Sequence, residues 1–193
     1  MKQTNKKKKK KRNNKGKNQS KNVQKQNVQK QNVQKKKMKP LVKVAIGFAS
    51  FIVLLFLGLL IYSAQAYHAL PEMTDQIETL DTSSITIENK AGAIIYTIDN
   101  PRKNIIFVPG GLVKPDAYSY LVVTLALQGY NVTIVKQLFH LAILTPNQAA
   151  KYIDDSLDNV IIGHSLGGVV ASMVAAKNDA ISTVILLGSY PIK

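Results

Sequence analysis

The 193-residue sequence contains no cysteine, no tryptophan and only three histidines. Without cysteine there are no disulfides and no thiolate metal sites, so a hydrophobic core must hold whatever folds; redox compartment stays open. Acid is also scarce and unevenly placed. Residues 1–43 contain none of the 11 Asp+Glu but 18 of the 26 Lys+Arg, whereas from Val44 onward 8 basic residues face all 11 acids. The formal net charge of +15 therefore describes a tail and not a domain. Within that tail three repeats beginning at Asn22, Asn27 and Asn32 carry one valine each, too little apolar surface to offset the entropy of ordering. Residues 1–43 read as a disordered polybasic segment. No aromatics are interleaved with its lysines and no recognition helix is evident, so no specific nucleic-acid partner is expected. Lys35, Lys36, Lys37, Lys39 and Lys43 are placed to meet anionic lipid.

Charge disappears altogether from Val44 to Tyr62. A helix over these 19 residues would be close to 30 Å long at about 1.5 Å per residue, the thickness of a bilayer's hydrocarbon core. Seven lysines lie in the 20 residues before it and no basic residue lies between Tyr62 and Lys90. The positive-inside rule then predicts a single-pass anchor over 44–62 in the cell membrane, tail cytoplasmic and the remainder outside. The alternative is a secreted protein cleaved near Ala66, where Ser63-Ala-Gln-Ala66 resembles a signal-peptidase site.

Residues 63–83 read as a polar linker carrying at most one poorly ordered helix. The pattern then tightens. Ile85 to Glu88 and Ala93 to Ile98 flank a turn at Asn89-Lys-Ala-Gly92, predicting a β-hairpin. Asn104–Val108 is an unbroken apolar run, as expected of a strand buried on both faces. Helices are predicted over Asp116–Leu127, Pro146–Asp155 and Ser165–Lys177, alternating with strands at Asn131–Val135, Asn159–Ile162 and Ile181–Leu187. Such alternation predicts an α/β fold, a mostly parallel sheet with helices on both faces and the site at the strands' C-terminal ends.

At one such end stands Gly163-His164-Ser165-Leu166-Gly167. A G-x-S-x-G motif between a strand and a helix forms a nucleophile elbow: the serine sits on a strained turn with its hydroxyl exposed, and glycines flank it where side chains would collide. The helix start beneath favours developing negative charge. With Ile105-Ile-Phe-Val-Pro-Gly-Gly111, Gly129 to Ile134, the elbow and Val184 to Tyr190, the chain resembles the α/β-hydrolase superfamily, in particular its small dienelactone-hydrolase and esterase-lipase members, over about residues 85–190. The resemblance implies acyl transfer through a serine ester at Ser165. It also implies an oxyanion hole formed by the backbone N–H of Leu166 and of Gly111, with Leu112 the second choice for the latter, and no cofactor or metal. The substrate class is a small-molecule carboxylic ester or similar acyl compound.

One part of the family pattern is missing. The triad acid and histidine follow the serine in this fold, yet after Ser165 the sequence has one acid, Asp179, and no histidine. Asp179 precedes a strand and so belongs at the wrong end of the sheet. His164 should point away from Ser165, His68 should pack at the membrane interface, and His140, in a loop on the site face, is a candidate for lining the pocket. The domain over 84–193 is therefore expected to be the N-terminal part of a hydrolase, truncated and inactive as it stands, or else a non-catalytic membrane-anchored binding module.

Overall fold

The computed structural model describes residues 39–192. The polybasic tail as far as Met38 lies outside the described residues. Helix α1, Pro40–Ala64, contains the expected apolar run, has no buried residue, and is long and apolar enough to cross a membrane. The chain divides into two units between Phe51 and Ile52, part-way along α1. The linker contributes a short helix α2, Pro71–Glu78, started by a proline whose missing N–H costs nothing at that position.

Strands β1 (Thr86–Asn89), β2 (Ala93–Thr97), β3 (Asn104–Val108), β4 (Asn131–Val135), β5 (Asn159–His164) and β6 (Ile181–Leu187) form one sheet in the order β1-β2-β4-β3-β5-β6. The hairpin β1–β2 is antiparallel and joins β4 antiparallel, while β4, β3, β5 and β6 are mutually parallel. All five residues of β3 are buried, as its unbroken apolar run demands.

The alternation of side chains along β3 divides the core in two. Ile105 and Phe107 face a cluster with Val122, Val123 and Ala126 of helix α3, Ser119–Leu127, against which Ile77 and Leu80 also pack. Ile106 and Val108 face the opposite side, where Val170, Ala171 and Val174 of helix α4, Leu166–Ala175, cover the sheet. This is the three-layer arrangement that the alternating pattern implied.

Two helices differ from expectation. Asp116 belongs to a 3-10 turn, Pro115–Tyr118, and the α-helix begins at Ser119. Over Pro146–Asp155 only a 3-10 turn forms, Ala149–Tyr152. The cause is Asn159, whose side chain accepts from the Asp154 N–H and donates to the Asp154 carbonyl, while the Asp154 carboxylate accepts from the Ser156 N–H and hydroxyl. Backbone groups engaged in this way are unavailable to a helix ladder.

Candidate functional site

The parallel strands deliver β3 and β5 side by side, Ile106 opposite Ile161 and Val108 opposite Gly163, so the loops that leave them meet. Ser165 leaves β5 with φ 48° and ψ −122° and precedes the first residue of α4. A non-glycine residue keeps such angles only where the surroundings over-determine them. Here its N–H donates to the Leu187 carbonyl (2.9 Å), its carbonyl accepts from Gly168 N–H (2.9 Å), and its side chain is exposed. The elbow glycines are required sterically. A Cβ on Gly167 would overlap the carbonyl oxygens of Val108 and Pro109, and one on Gly163 would overlap the backbone of Gly167 and Gly168.

Opposite the elbow runs the loop Pro109–Lys114. A Cβ on Gly111 would lie 3.4 Å from Leu166 Cδ2, so the two candidate oxyanion residues are neighbours. Leu166 opens α4, and its N–H has no acceptor within the helix. Among the described residues the Gly111 N–H also has no partner, whereas the Leu112 N–H donates to the His140 carbonyl at 2.9 Å. Of the two candidates in this loop, only Gly111 thus keeps a donor available. The Gly110 N–H is engaged as well, donating to Tyr118 Oη at 3.0 Å.

Each histidine is accounted for. His164 points into the fold, its Nδ1 2.9 Å from Tyr118 Oη, and a Cβ at Gly110 would collide with its ring. Tyr118 thereby ties the elbow to the facing loop. Burial pushes its phenol pKa above the ordinary value, with the Gly110 bond opposing. His140, at φ 55° in a 3-10 turn, is half-buried; desolvation holds its imidazole pKa below the usual value, with Lys114 adding to the effect. His68, expected at the membrane interface, is bonded within the fold: Nδ1 lies 3.0 Å from Asp116 Oδ2 and Nε2 2.7 Å from Lys114 Nζ. Asp179 lies in the turn before β6, and since Ile181 pairs with Asn159, that turn is at the sheet end opposite Ser165. Among the described residues no side chain hydrogen-bonds to Ser165 Oγ. A cavity of about 340 Å³ lies elsewhere, at the beginnings of β3 and β4, lined by Asn104, Asn131, Thr133 and Tyr152 among others; Ser165 and His140 are not among its lining residues.

An exposed serine on a strained strand-to-helix turn, glycines at −2 and +2, and a facing loop with an unpaired amide meet on this sheet, and residues 104–193 match the alpha/beta hydrolase family. No curated protein matches the sequence. Solved structures similar to this chain include an iron-lacking apo form of ESTFA, at 15% identity and TM-score 0.43, covering 61% of this chain and 50% of that one. A bacterial heroin esterase is similar at 14% identity and TM-score 0.44, covering 61% and 49%. TT1662 from Thermus thermophilus is similar at 14% identity and TM-score 0.47, covering 56% and 59%. The chain spans about half the length of the first two.

Tyr118 and the Tyr67–His68 pair were not singled out from the sequence as site residues. Tyr118 carries no motif, and its signal would have been its place in the turn between the glycine loop and α3.

Proposed function

We propose that this chain supplies the nucleophile and the oxyanion-binding amides of a membrane-anchored serine hydrolase that cleaves a carboxylic ester or similar acyl bond. The observation that carries the reading is that, among the described residues, the N–H groups of Gly111 and Leu166 have no partner, while Gly111 lies against the Leu166 side chain, next to the exposed Ser165. Ser165 Oγ attacks the acyl carbon, and the carbonyl oxygen, becoming an oxyanion, accepts from both amides. Collapse expels the alcohol and leaves an acyl-serine, which water cleaves. The proton from Oγ needs a base, and among the described residues none reaches it. In this proposal the base and its acid come from polypeptide outside the present sequence. Helix α1 anchors the protein in the cell membrane, with the lysine-rich side cytoplasmic and the hydrolase domain outside, and the substrate is a small ester-like molecule.

A single-turnover reagent tests the nucleophile without requiring a full triad. On long incubation of the full chain in detergent with a fluorophosphonate, mass spectrometry is expected to find the adduct on Ser165 and to lose it in Ser165→Ala. Turnover of p-nitrophenyl acetate should lie up to about a millionfold below that of a complete triad. An adduct distributed over other serines, or none, overturns the reading. It would then favour the second one, a non-catalytic anchored binding module, which the lack of any partner on Ser165 Oγ supports.

A further inference from the structure

The loop that presents Gly111 is held from outside itself. The Val113 N–H donates to the Gly110 carbonyl at 3.4 Å, closing a β-turn whose third residue, Leu112, has φ 56°. The Gly110 carbonyl and the Gly111 N–H belong to one planar peptide, so this bond also aims the Gly111 N–H to the opposite side. That turn position demands positive φ and ordinarily falls to glycine. A leucine stays there only where its neighbours insist.

Two remote segments do so. The Leu112 N–H donates to the His140 carbonyl at 2.9 Å, and the Leu112 carbonyl accepts from the Tyr67 N–H at 2.8 Å. Tyr67 returns its own carbonyl to the Lys114 N–H at 2.9 Å, making a parallel bridge with Val113. The next residue clamps the far end of the loop. His68 Nδ1 lies 3.0 Å from Asp116 Oδ2 and Nε2 accepts from the Lys114 ammonium at 2.7 Å, so one ring bridges the two side chains. Just before the bridge, Ala66 is buried.

We propose that Tyr67 and His68, immediately beyond α1, are positioning residues for the oxyanion hole: the backbone of one and the ring of the other keep Leu112 in its turn and so keep the Gly111 N–H free to serve as the second oxyanion donor. The segment that leaves the apolar helix is in this way part of the site and not merely a tether. The inference rests on the serine-hydrolase reading above.

The experiment uses the full chain in detergent micelles, as wild type and as Tyr67→Pro, His68→Ala and His68→Gln. It measures amide hydrogen exchange over residues 110–116 and the rate of fluorophosphonate adduct formation at Ser165. Tyr67→Pro deletes the donor to Leu112, and His68→Ala deletes the ring; each is expected to raise exchange at 112–114 and to slow adduct formation about tenfold, the scale of one lost hydrogen bond. Exchange in β3 and β5 should stay unchanged. His68→Gln, which keeps a donor and an acceptor on one side chain, should restore most of both signals, a rescue that loss of general packing would not show. Should Tyr67→Pro fail to fold, the two His68 variants decide. Unchanged exchange at 112–114 overturns the brace, and raised exchange with an unchanged adduct rate overturns its positioning role. A wild type that forms no adduct at Ser165 while the variants still shift exchange overturns the hydrolase reading, and the positioning role with it.

Discussion

The two halves of the candidate oxyanion site are specified in opposite ways. The elbow is local: Ser165 owes its angles to a strand ending at His164, a helix starting at Leu166, and glycines two residues to either side. The facing loop is remote in origin, with the Gly110 N–H held by Tyr118, the Leu112 N–H by the His140 carbonyl and the Leu112 carbonyl by Tyr67. Gly111 keeps its amide available because the peptides before and after it are both engaged. A site half of which is made by sequence neighbours and half by distant contacts has two distinct vulnerabilities, steric in the first half and cumulative in the second.

Substitutions can break that contrast. The largest effect is expected at the elbow: Gly167→Ala drives a methyl into the Val108 and Pro109 carbonyls and should cost about 3 kcal/mol or more, read from urea denaturation. In the loop, Tyr118→Phe leaves the buried Gly110 N–H without its acceptor and His164 Nδ1 without its partner, and should cost about 1–2 kcal/mol by the same measurement. Leu112→Val puts a β-branched residue at positive φ and should cost about 1 kcal/mol. A Leu112→Val loss as large as that of Gly167→Ala would show that the loop is as sterically fixed as the elbow, and the contrast would fall. The smallest effect concerns pH. The His140 pKa is depressed by desolvation, so the unfolded chain binds the proton more readily, and stability should decline as pH falls below about 6.5 toward the folded value. Urea midpoints at pH 7.5 and 5.5 should differ less in His140→Gln than in wild type.

The same contrast explains what the sequence made legible. An alternating pattern from Asn104 to Leu187 was enough to locate β3, β4, β5, β6, α3 and α4, and G-x-S-x-G was enough to find the elbow, because each depends on spacing within a few residues. The helix expected over Pro146–Asp155 failed because a side chain beyond its end, Asn159, captures the backbone of Asp154. The contacts of His68 were missed for a related reason: its neighbourhood in sequence is the end of an apolar helix, but its neighbours in space are Lys114 and Asp116. Leu112 carried no sequence mark of its left-handed backbone, since the pair of glycines before it drew attention to positions 110 and 111. The choice between Gly111 and Leu112 as donor turned on the acceptor at His140, 28 residues further along.

Asn159, buried at the start of β5, donates to the carbonyls of Asp154, Leu157 and Ala180 and accepts from Asn104 Nδ2 and the Asp154 N–H. Its partner Asn104 stands directly across at the start of β3. A slip of one residue between these strands would strand several amide groups in the interior, so the pair works as a gauge at the foot of the sheet. Six positions later, roughly 20 Å along the strand at the usual rise, that gauge reading decides how far Ser165 stands beyond the glycine loop.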